Sequence, residues 1–425
     1  MVCVDCEVLA RRVPELEKRV VELEARLAKY ENAHTPPSLS GVHLSKVGGS
    51  KPGRKSGHEG SGRKTPDIVH KHKRLALKAC PHCGSKVKRK NARTRVITDI
   101  KTGCVQNTEC EIQRSYCAKC HKVVEPVVTD ALPNSRFGLQ LAIYITFLSA
   151  LGITLSKIRA ILLHDYNLAI SKGTIANTIE QLADFLGNDY EKLRQALFQE
   201  RDLFADETSH PIHGRNAWLW TFIGKTTAYL QVELSRGQKV VQKTLHGYAG
   251  ILHSDFWSAY NKLKCDKQKC LAHLTRELKH LRKKKMSPEL KTYCTKLLNL
   301  LRYAVKENKH TPRFRTFCEQ RLHAIIDAEY SNKDCQRLNK RLRRHATEIF
   351  LFTELETETT NNHAERSLRP MVIKRKNTNG SHSLEGAQAH AVMASFYQTS
   401  QLQKQNYEHF VGELLQNRLQ NRTEN

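Results

Sequence analysis

Two short apolar runs that each end near an aspartate constrain this chain more than any other feature. Residues 203–210 read as a buried strand that carries Asp206, and residues 250–255 read as a second strand that ends in Asp255. A third acid, Glu365, lies in a segment with a helical pattern. Acids at two strand ends and on a helix can converge on hard cations such as Mg²⁺. The alternative is ordinary surface charge, because the chain holds 42 Asp and Glu residues.

The charge balance points to a polyanionic partner. The chain has 70 Lys and Arg residues, a formal net charge of +28, and a stretch at 46–90 in which Glu59 and Asp67 are the only acids. Nucleic acid is the expected partner, and a generally basic protein is the alternative. Because no apolar run reaches about 18 residues and no leader pattern begins the chain, we expect no membrane association and a cytoplasmic, nucleoid-associated protein.

Four of the thirteen cysteines form a paired pattern that is typical of a structural zinc site. Cys80 and Cys83 frame one C-x-x-C turn, and Cys117 and Cys120 frame another. Four thiolates close a tetrahedral site around one Zn²⁺, and alternating residues between the turns predict a hairpin. The alternatives are a redox pair or coincidence.

The region before the cysteines has two parts. Leu9, Leu16, Leu23 and Tyr30 fall seven apart, which predicts a coiled coil over 7–32; one amphipathic helix packed on its own protein is the alternative. Residues 33–70 are rich in Pro, Gly, Ser and basic residues, which predicts a flexible arm. Such an arm binds phosphates or acts as a tether, and the two roles are compatible.

The region after the cysteines reads as helical and includes a candidate helix-turn-helix. Residues 155–163 form one predicted helix, 166–167 a turn, and 170–179 the start of a second helix with Ser171 as its N-cap. In that arrangement the second helix enters the major groove, and the residues facing DNA are Lys172, Thr174 and Asn177. An ordinary helical hairpin is the alternative.

From residue 203 the pattern changes to strands and then alternates. Three antiparallel strands followed by alternating helices and strands is the ribonuclease-H-like order. The remaining predicted strands are 216–223, 228–234 and 269–273, with a helix at 238–248, another opening at His273, a helical insertion over 286–352, and one or two small helices after Gly386.

These motifs, in this order, resemble bacterial transposases of the insertion-sequence-66 family in the DDE superfamily. The resemblance covers nearly the whole chain, and it rests on Ala205-Asp-Glu-Thr208, Trp218-Leu-Trp220, Ser235-Arg-Gly237, Ser254-Asp255, Cys270-Leu-Ala-His273, Asn361-Asn-His-Ala-Glu-Arg-Ser-Leu-Arg-Pro370 and Lys374-Arg-Lys376, together with the N-terminal modules.

The resemblance implies roles for particular residues. Asp206, Asp255 and Glu365 correspond to the DDE triad, which holds two Mg²⁺ (or Mn²⁺) ions. Cys270 and His273 match a Cys-x-x-His signature and are expected to be structural or second-shell residues. The basic residues expected to contact DNA phosphates near the metals are Arg366, Arg369, Lys374 and Arg375. Implied partners are transposon and target DNA, further copies of the chain in a dimer or larger synaptic complex, and small accessory proteins of the same element.

Together these readings predict a multidomain α+β protein with a ribonuclease-H-like catalytic core. The expected order is a coiled coil at 7–32, a basic arm at 33–70, a zinc module at 71–130, a helix-turn-helix domain at 131–200, the catalytic domain at 201–380 with a helical insertion at about 285–355, and a small helical region at 381–425. The expected function is metal-dependent cleavage and strand transfer at the ends of an insertion sequence. Two alternatives are a DNA-binding regulator with an inactive ribonuclease-H-like half and a nuclease without strand transfer.

Overall fold

A computed structural model describes residues 65–101, 103–283 and 287–424, together with Glu22. The predicted coiled coil, apart from Glu22, and the predicted arm up to residue 64 lie outside the described residues, so both stay predictions. The described part is a mixed α+β structure with two β-sheets and thirteen α-helices. Within it, no helix combines the length and apolar character needed to cross a membrane.

The first sheet contains the hairpin predicted between the cysteine pairs. Its strands are β1 (Lys71–Leu75), β2 (Lys88–Lys101), β3 (Cys104–Cys117) and β4 (Lys122–Val124). β2 and β4 pair antiparallel with β3, and β1 pairs parallel with it. Ile97, Cys110 and Ile112 alternate with more exposed neighbours and form a small core with Val128 and Ala131. The hairpin predicted between the cysteine pairs is therefore confirmed, although Thr98 and Gln113 beside these residues are also buried.

Four helices follow this sheet: α1 (Leu139–Ala150), α2 (Leu155–Tyr166), α3 (Lys172–Phe185) and α4 (Gly187–Ala196). Asn167 ends α2 in a left-handed conformation with φ 47°, and the Ser171 side chain accepts a hydrogen bond from the Thr174 N–H at 3.1 Å. The turn and the N-cap predicted from the sequence are confirmed, since both residue types suit these positions. Entry of α3 into a DNA groove stays a prediction.

The second sheet has five strands in the order β7-β6-β5-β8-β9. They are β5 (Asp202–Ser209), β6 (Trp218–Ile223), β7 (Ala228–Glu233), β8 (Ile251–Ser254) and β9 (Asp266–Lys269). The first three pair antiparallel, whereas β8 pairs parallel with β5 and β9 parallel with β8. α5 (Gln238–Leu245) connects β7 to β8. The predicted succession of three antiparallel strands and then alternating elements is confirmed.

The strand predicted at 269–273 is wrong in its position. β9 ends at Lys269, and α6 (Leu271–Lys283) begins two residues later. Leu271, Leu274, Leu278 and Leu281 are all buried along one stripe of α6. A short apolar run such as Cys270-Leu-Ala does not distinguish a strand from the first turn of a buried helix, which explains the error.

The helical character predicted for the insertion is confirmed in its described residues, whereas its place within a catalytic domain stays a prediction. Its helices are α7 (Pro288–Glu307), α8 (Pro312–Ile326), α9 (Lys333–Arg344) and α10 (Ala346–Ile349). Among its described residues, 287–352, there is no strand. α7, α8 and α9 begin with Ser287, Thr311 and Asn332, whose side chains each accept a backbone N–H as N-caps. The insertion shares an apolar core with α6.

Three helices follow the insertion in the described part of the chain. They are α11 (Asn362–Thr378), α12 (Leu384–Leu402) and α13 (Tyr407–Glu424). The expectation of small helices after Gly386 is wrong, because α12 and α13 span 19 and 18 residues. α12 packs against the five-stranded sheet on one side and against the core of α1 and α3 on the other. Burial on both sides removes the single apolar stripe that marks a long surface helix in a sequence.

α12 also covers the edge strand β7. The backbone N–H groups of Ala228, Leu230 and Val232 donate to the side chains of Thr399, Ser395 and Gln388, respectively, at 3.1, 2.8 and 3.0 Å. An uncovered edge strand offers unpaired backbone groups to other chains. Hydroxyl and amide side chains of one helix therefore complete the hydrogen bonding of this edge.

Gly152 lets the end of α1 approach α11 closely. Its φ is +86°, and a Cβ built there would lie 2.5 Å from the Pro370 carbonyl oxygen. We expect Gly152→Ala to lower the free energy of unfolding by about 1–3 kcal/mol, because the new methyl group forces backbone to move and strains a left-handed residue. Chemical denaturation measures the change.

Gly247 is the matched control, because its φ is +87° but a Cβ there would meet nothing within 4 Å. Gly247→Ala should show the conformational cost alone. Equal losses in the two variants would contradict the close approach at Gly152.

Candidate active site

The parallel pairing of β5 and β8 brings the first two predicted acids side by side. The last pair of the ladder is Phe204 with His253, and Asp206 and Asp255 each lie two residues beyond that pair. Neighbouring strands lie about 4.8 Å apart. Asp255 is accordingly among the charges that raise the pKa of Asp206.

The electrostatic environment of Asp206 opposes ionisation. Burial, then the charges of Glu207 and Asp255, raise its pKa well above the ordinary range for an aspartate. Burial and the Asp255 charge also raise the pKa of the neighbouring Glu207 to about 7. Carboxylates gathered in this way repel one another in the absence of a cation.

Glu365 joins the other acids through the residue that precedes α11. The buried Asn361 side chain donates from Nδ2 to the Ala205 carbonyl oxygen at 2.8 Å, and its backbone N–H donates to Cys270 Sγ at 3.2 Å. Asn361 thus ties the start of α11 both to β5, next to Asp206, and to the β9–α6 junction. Glu365 lies in the first turn of that helix.

His273 lies beside Glu365 and interacts with the charges of both aspartates. Its Nε2 is 3.7 Å from Glu365 Oε1. The Cys270 thiol, then the charges of Asp255 and Glu365, raise its pKa to about 9 against the effect of burial, and its own charge acts on Asp206. The three acids therefore all interact electrostatically with one imidazole, and Glu365 lies beside it. Their catalytic role stays a prediction.

The donor set fits hard divalent cations. Asp206, Asp255 and Glu365 offer carboxylate oxygens, and Glu365 Oε1 is buried with no hydrogen-bond partner among the described residues. A bound cation would favour the ionised form of Asp206, against the burial and the neighbouring charges that raise its pKa. Ligand atoms of Cys270, His273 and Glu365 also lie within 4.8 Å of one another, so this set could hold a metal ion as well.

Sequence reasoning missed several residues at this site. Arg236 Nε donates to Glu207 Oε1 at 2.9 Å. Lys269 is fully buried, and its Nζ donates to the Asp255 carbonyl oxygen at 2.9 Å. Arg236 lies in the Ser-Arg-Gly motif, which contributed to the family resemblance but to which no function was assigned. Lys269 could not be recognised from the sequence, because a lysine at the end of a strand is usually a surface residue.

The basic residues of α11 divide into two groups. Arg366 and Arg369 are exposed. Lys374 is buried and donates to Ser149 Oγ at 3.0 Å, while the buried Arg375 donates to Thr208 Oγ1 at 3.0 Å. The expected DNA contacts of Lys374 and Arg375 are corrected accordingly: the exposed face of the helix continues through Ile373 and Lys376, and both side chains lie off that face and point into the protein.

The residues expected to face DNA on α3 differ in exposure. Lys172 and Asn177 are exposed, whereas Thr174 is half-buried and its hydroxyl lies 2.8 Å from Ser171 Oγ. The structure leaves two of the three side chains open to a partner. Whether that partner is DNA stays a prediction.

The four predicted zinc ligands come together at the end of the first sheet. Cys80, Cys83, Cys117 and Cys120 place their sulfur atoms within 4.8 Å of one another. The Cys83–Cys117 and Cys80–Cys120 sulfur pairs are 3.6 and 3.9 Å apart. Zn–S bonds of about 2.3 Å in a tetrahedron require S···S distances of about 3.8 Å, so the cluster fits zinc.

The backbone of both turns suits a metal knuckle. Gly84 and His121 directly follow the second cysteine of each pair and adopt positive φ values of 68° and 52°. The Gly84 N–H donates to the Cys80 carbonyl oxygen at 2.9 Å, and the Cys120 N–H donates to Cys117 Sγ at 3.4 Å. These turns orient the thiols before any ion binds.

Fold and site together define the chain as a mixed α+β protein with two candidate metal centres. A family model described as "Transposase IS66 family" matches residues 140–389, more than half of the chain. The chain therefore belongs to the transposase IS66 family.

A relative was also found among curated proteins. The chain is 26% identical over 316 residues to the uncharacterized protein y4qI of Sinorhizobium fredii (strain NBRC 101917 / NGR234). The match covers 65% of this chain and 58% of that protein, so the chain spans less than two thirds of the relative's length.

Asp206→Asn should stabilise the cation-free protein at neutral pH. A raised folded-state pKa makes the wild type lose stability as pH rises from about 4, where unfolded Asp ionises, through the folded pKa. The amide avoids that cost, so the variant's advantage should be absent near pH 4 and should grow as pH rises toward 8. Denaturation curves at several pH values in EDTA measure it.

Asp266→Asn, at the exposed start of β9, is the control and should change little at any pH. Mg²⁺ should stabilise the wild type more than Asp206→Asn. A variant no more stable than the wild type at pH 8 would argue against repulsion at Asp206.

The cysteine cluster should hold one zinc ion per chain, because four thiolates complete a single tetrahedral site. Cys83→Ser should lower the zinc content and the melting temperature, as chelator treatment of the wild type should. Elemental analysis and thermal melting check this. Cys104→Ser, at an exposed cysteine on the same strand as Cys117, should retain the metal; a metal-free wild type would exclude the site.

Proposed function

We propose that this protein is a DNA transposase that cuts the ends of its insertion sequence and joins them to target DNA. The observation that carries the proposal is the electrostatic interaction of Asp206, Asp255 and Glu365 with His273, within the segment that matches the transposase family. The family match without such a site would be compatible with a copy unable to cut DNA.

The arrangement of the sheet supports a ribonuclease-H-like catalytic core. Three antiparallel strands are followed by two parallel strands on the other side of β5. Asp206 lies on the central strand, Asp255 directly follows the next strand, and Glu365 lies on a helix packed near both. A helical insertion separates the second and third acids in the chain.

The three carboxylates would hold two Mg²⁺ or Mn²⁺ ions, which supply Lewis acidity and activate a water molecule. Asp206 offers oxygens from the middle of β5, and Asp255 offers them from directly after β8. Lys269 fixes the backbone at Asp255, and Asn361 fixes the start of the helix that carries Glu365. The chain's contribution is thus a set of oxygens whose positions are determined before DNA binds.

The proposed reaction has two in-line displacements. In the first, a water oxygen attacks phosphorus at the transposon end, one P–O bond forms, and the 3′ oxygen leaves as a hydroxyl. In the second, that 3′ hydroxyl oxygen attacks a phosphorus of the target, and the target's own 3′ oxygen leaves. Each step exchanges one P–O bond for another, so no oxidant or covalent enzyme intermediate is required.

Several surfaces would hold the DNA. The chain has 70 Lys and Arg residues against 42 Asp and Glu residues, and this positive charge favours phosphate binding. Arg366 and Arg369 are exposed one to four residues beyond Glu365, and Lys172 and Asn177 are exposed on α3. Because two ends must be cut together, the proposal includes a dimer or larger synaptic complex, with the predicted coiled coil at 7–32 as a pairing element; accessory proteins of the same element are also proposed partners.

Glu365→Gln should abolish DNA cleavage while leaving end binding within a few-fold of wild type. Loss of a carboxylate ligand weakens binding of the metal ions that would stabilise the transition state. The cleavage rate should therefore fall about a thousandfold or more. Labelled fragments carrying the ends that flank this coding sequence serve as substrates, with and without Mg²⁺, and binding is measured without Mg²⁺. Asp206→Ala and Asp255→Ala should behave in the same way.

Glu385→Gln is a matched control, because Glu385 also lies in the first turn of a helix but is exposed on α12. It should cut at the wild-type rate. A wild type that binds ends but never cuts them would favour the regulator, and cut ends that are never joined would favour a nuclease without strand transfer.

A further inference from the structure

An exposed tryptophan adjoins the second acid. The Trp257 backbone N–H donates to Asp255 Oδ1 at 2.9 Å, yet 36% of the Trp257 surface is accessible. The other two tryptophans differ, since Trp218 is half-buried and Trp220 is fully buried in β6. A large indole exposed beside a carboxylate site is a feature that needs a reason.

The indole ring is held in place. Its Nε1 donates to the Arg236 carbonyl oxygen at 3.1 Å, and the Arg236 guanidinium lies 4.0 Å from the ring centroid. That guanidinium also lies 4.7 Å from the Trp218 ring centroid and donates to Glu207. Because Glu207 and Trp218 hold the Arg236 guanidinium, the indole that packs against it is held as well.

What Trp257 leaves open is aromatic surface, because its polar hydrogen is already bonded. Exposure of such an apolar surface to water is unfavourable. The same surface can bind a nucleobase by stacking, and stacking depends little on which base is present. In a nucleotide the base is close to its own phosphate. A strand whose phosphodiester reaches Asp255 therefore presents a base to an indole only two residues away.

We propose that Trp257 is a stacking platform for one nucleobase of the strand bound at the candidate active site. The occupant is an unstacked base, either at a frayed or single-stranded end or rotated out of the duplex. Bases inside a duplex are excluded, because stacked neighbours cover both of their faces. The proposal rests on the transposase function argued above, but base binding can be measured without cleavage.

The test compares two probes in EDTA: a short oligothymidylate and an oligomer of the same length made of abasic deoxyribose phosphates. Both carry the same backbone charge, and only the first can stack. Wild type should bind oligothymidylate about tenfold more tightly than the abasic oligomer, with quenching of indole fluorescence. Trp257→Leu should reduce that ratio to about one, and Trp257→Phe should retain part of it.

Trp218→Leu is the matched control, because Trp218 contacts the other side of the same guanidinium. It should retain the preference for oligothymidylate. Circular dichroism and thermal melting identify any variant that fails to fold, in which case Trp257→Phe decides.

Equal binding of the two oligomers by wild type would overturn the proposal. So would an equal weakening of both probes in Trp257→Leu with the ratio preserved, because that pattern belongs to a residue that only supports Arg236. Failure of the transposase function itself has a different signature: no cleavage of the flanking ends with Mg²⁺, whatever the ratio for the two oligomers.

Discussion

Repulsion among carboxylates is the constraint on which the rest of this structure depends. The parallel register of β5 and β8 sets Asp206 beside Asp255, and Glu207 and Glu365 lie nearby. Such an arrangement costs stability, so neighbouring groups must hold it. Arg236 pairs with Glu207, a buried lysine bonds the backbone at Asp255, and Asn361 anchors the helix of Glu365. Sites that oppose local stability in this way are typical of function.

The scaffold around the acids is built from segments far apart in the chain. α12 lies between the sheet and the N-terminal helices, and its side chains complete the hydrogen bonds of the edge strand β7. Lys374 and Arg375 are bonded inside the protein near the same layer, and burial lowers the pKa of Lys374 to about 7. A rigid support of this kind can hold ligand oxygens in place before ions or DNA bind.

Much of the local structure follows from patterns in the sequence. The apolar runs around Asp206 and before Asp255, the cap at Ser171 and the two cysteine pairs each depend on neighbours a few residues away, and the structure has the predicted elements there. Predictions failed where long-range packing decides. The run at 269–273 leads into the helix α6, because Leu271 and the later leucines of that helix pack in a core shared with the insertion. The helices after Gly386 are long, because both sides of α12 find partners.

The sequence by itself determined the strands that carry acids, the helix that carries Glu365 and the turns that present four thiols, since periodicity and turn chemistry are local properties. Only the tertiary structure decided that Glu365 and His273 meet the two aspartates, that Lys374 is buried, and that Trp257 remains exposed. These outcomes depend on packing between segments that are far apart in the sequence. Such packing is determined by residues throughout the core and cannot be deduced from any one segment.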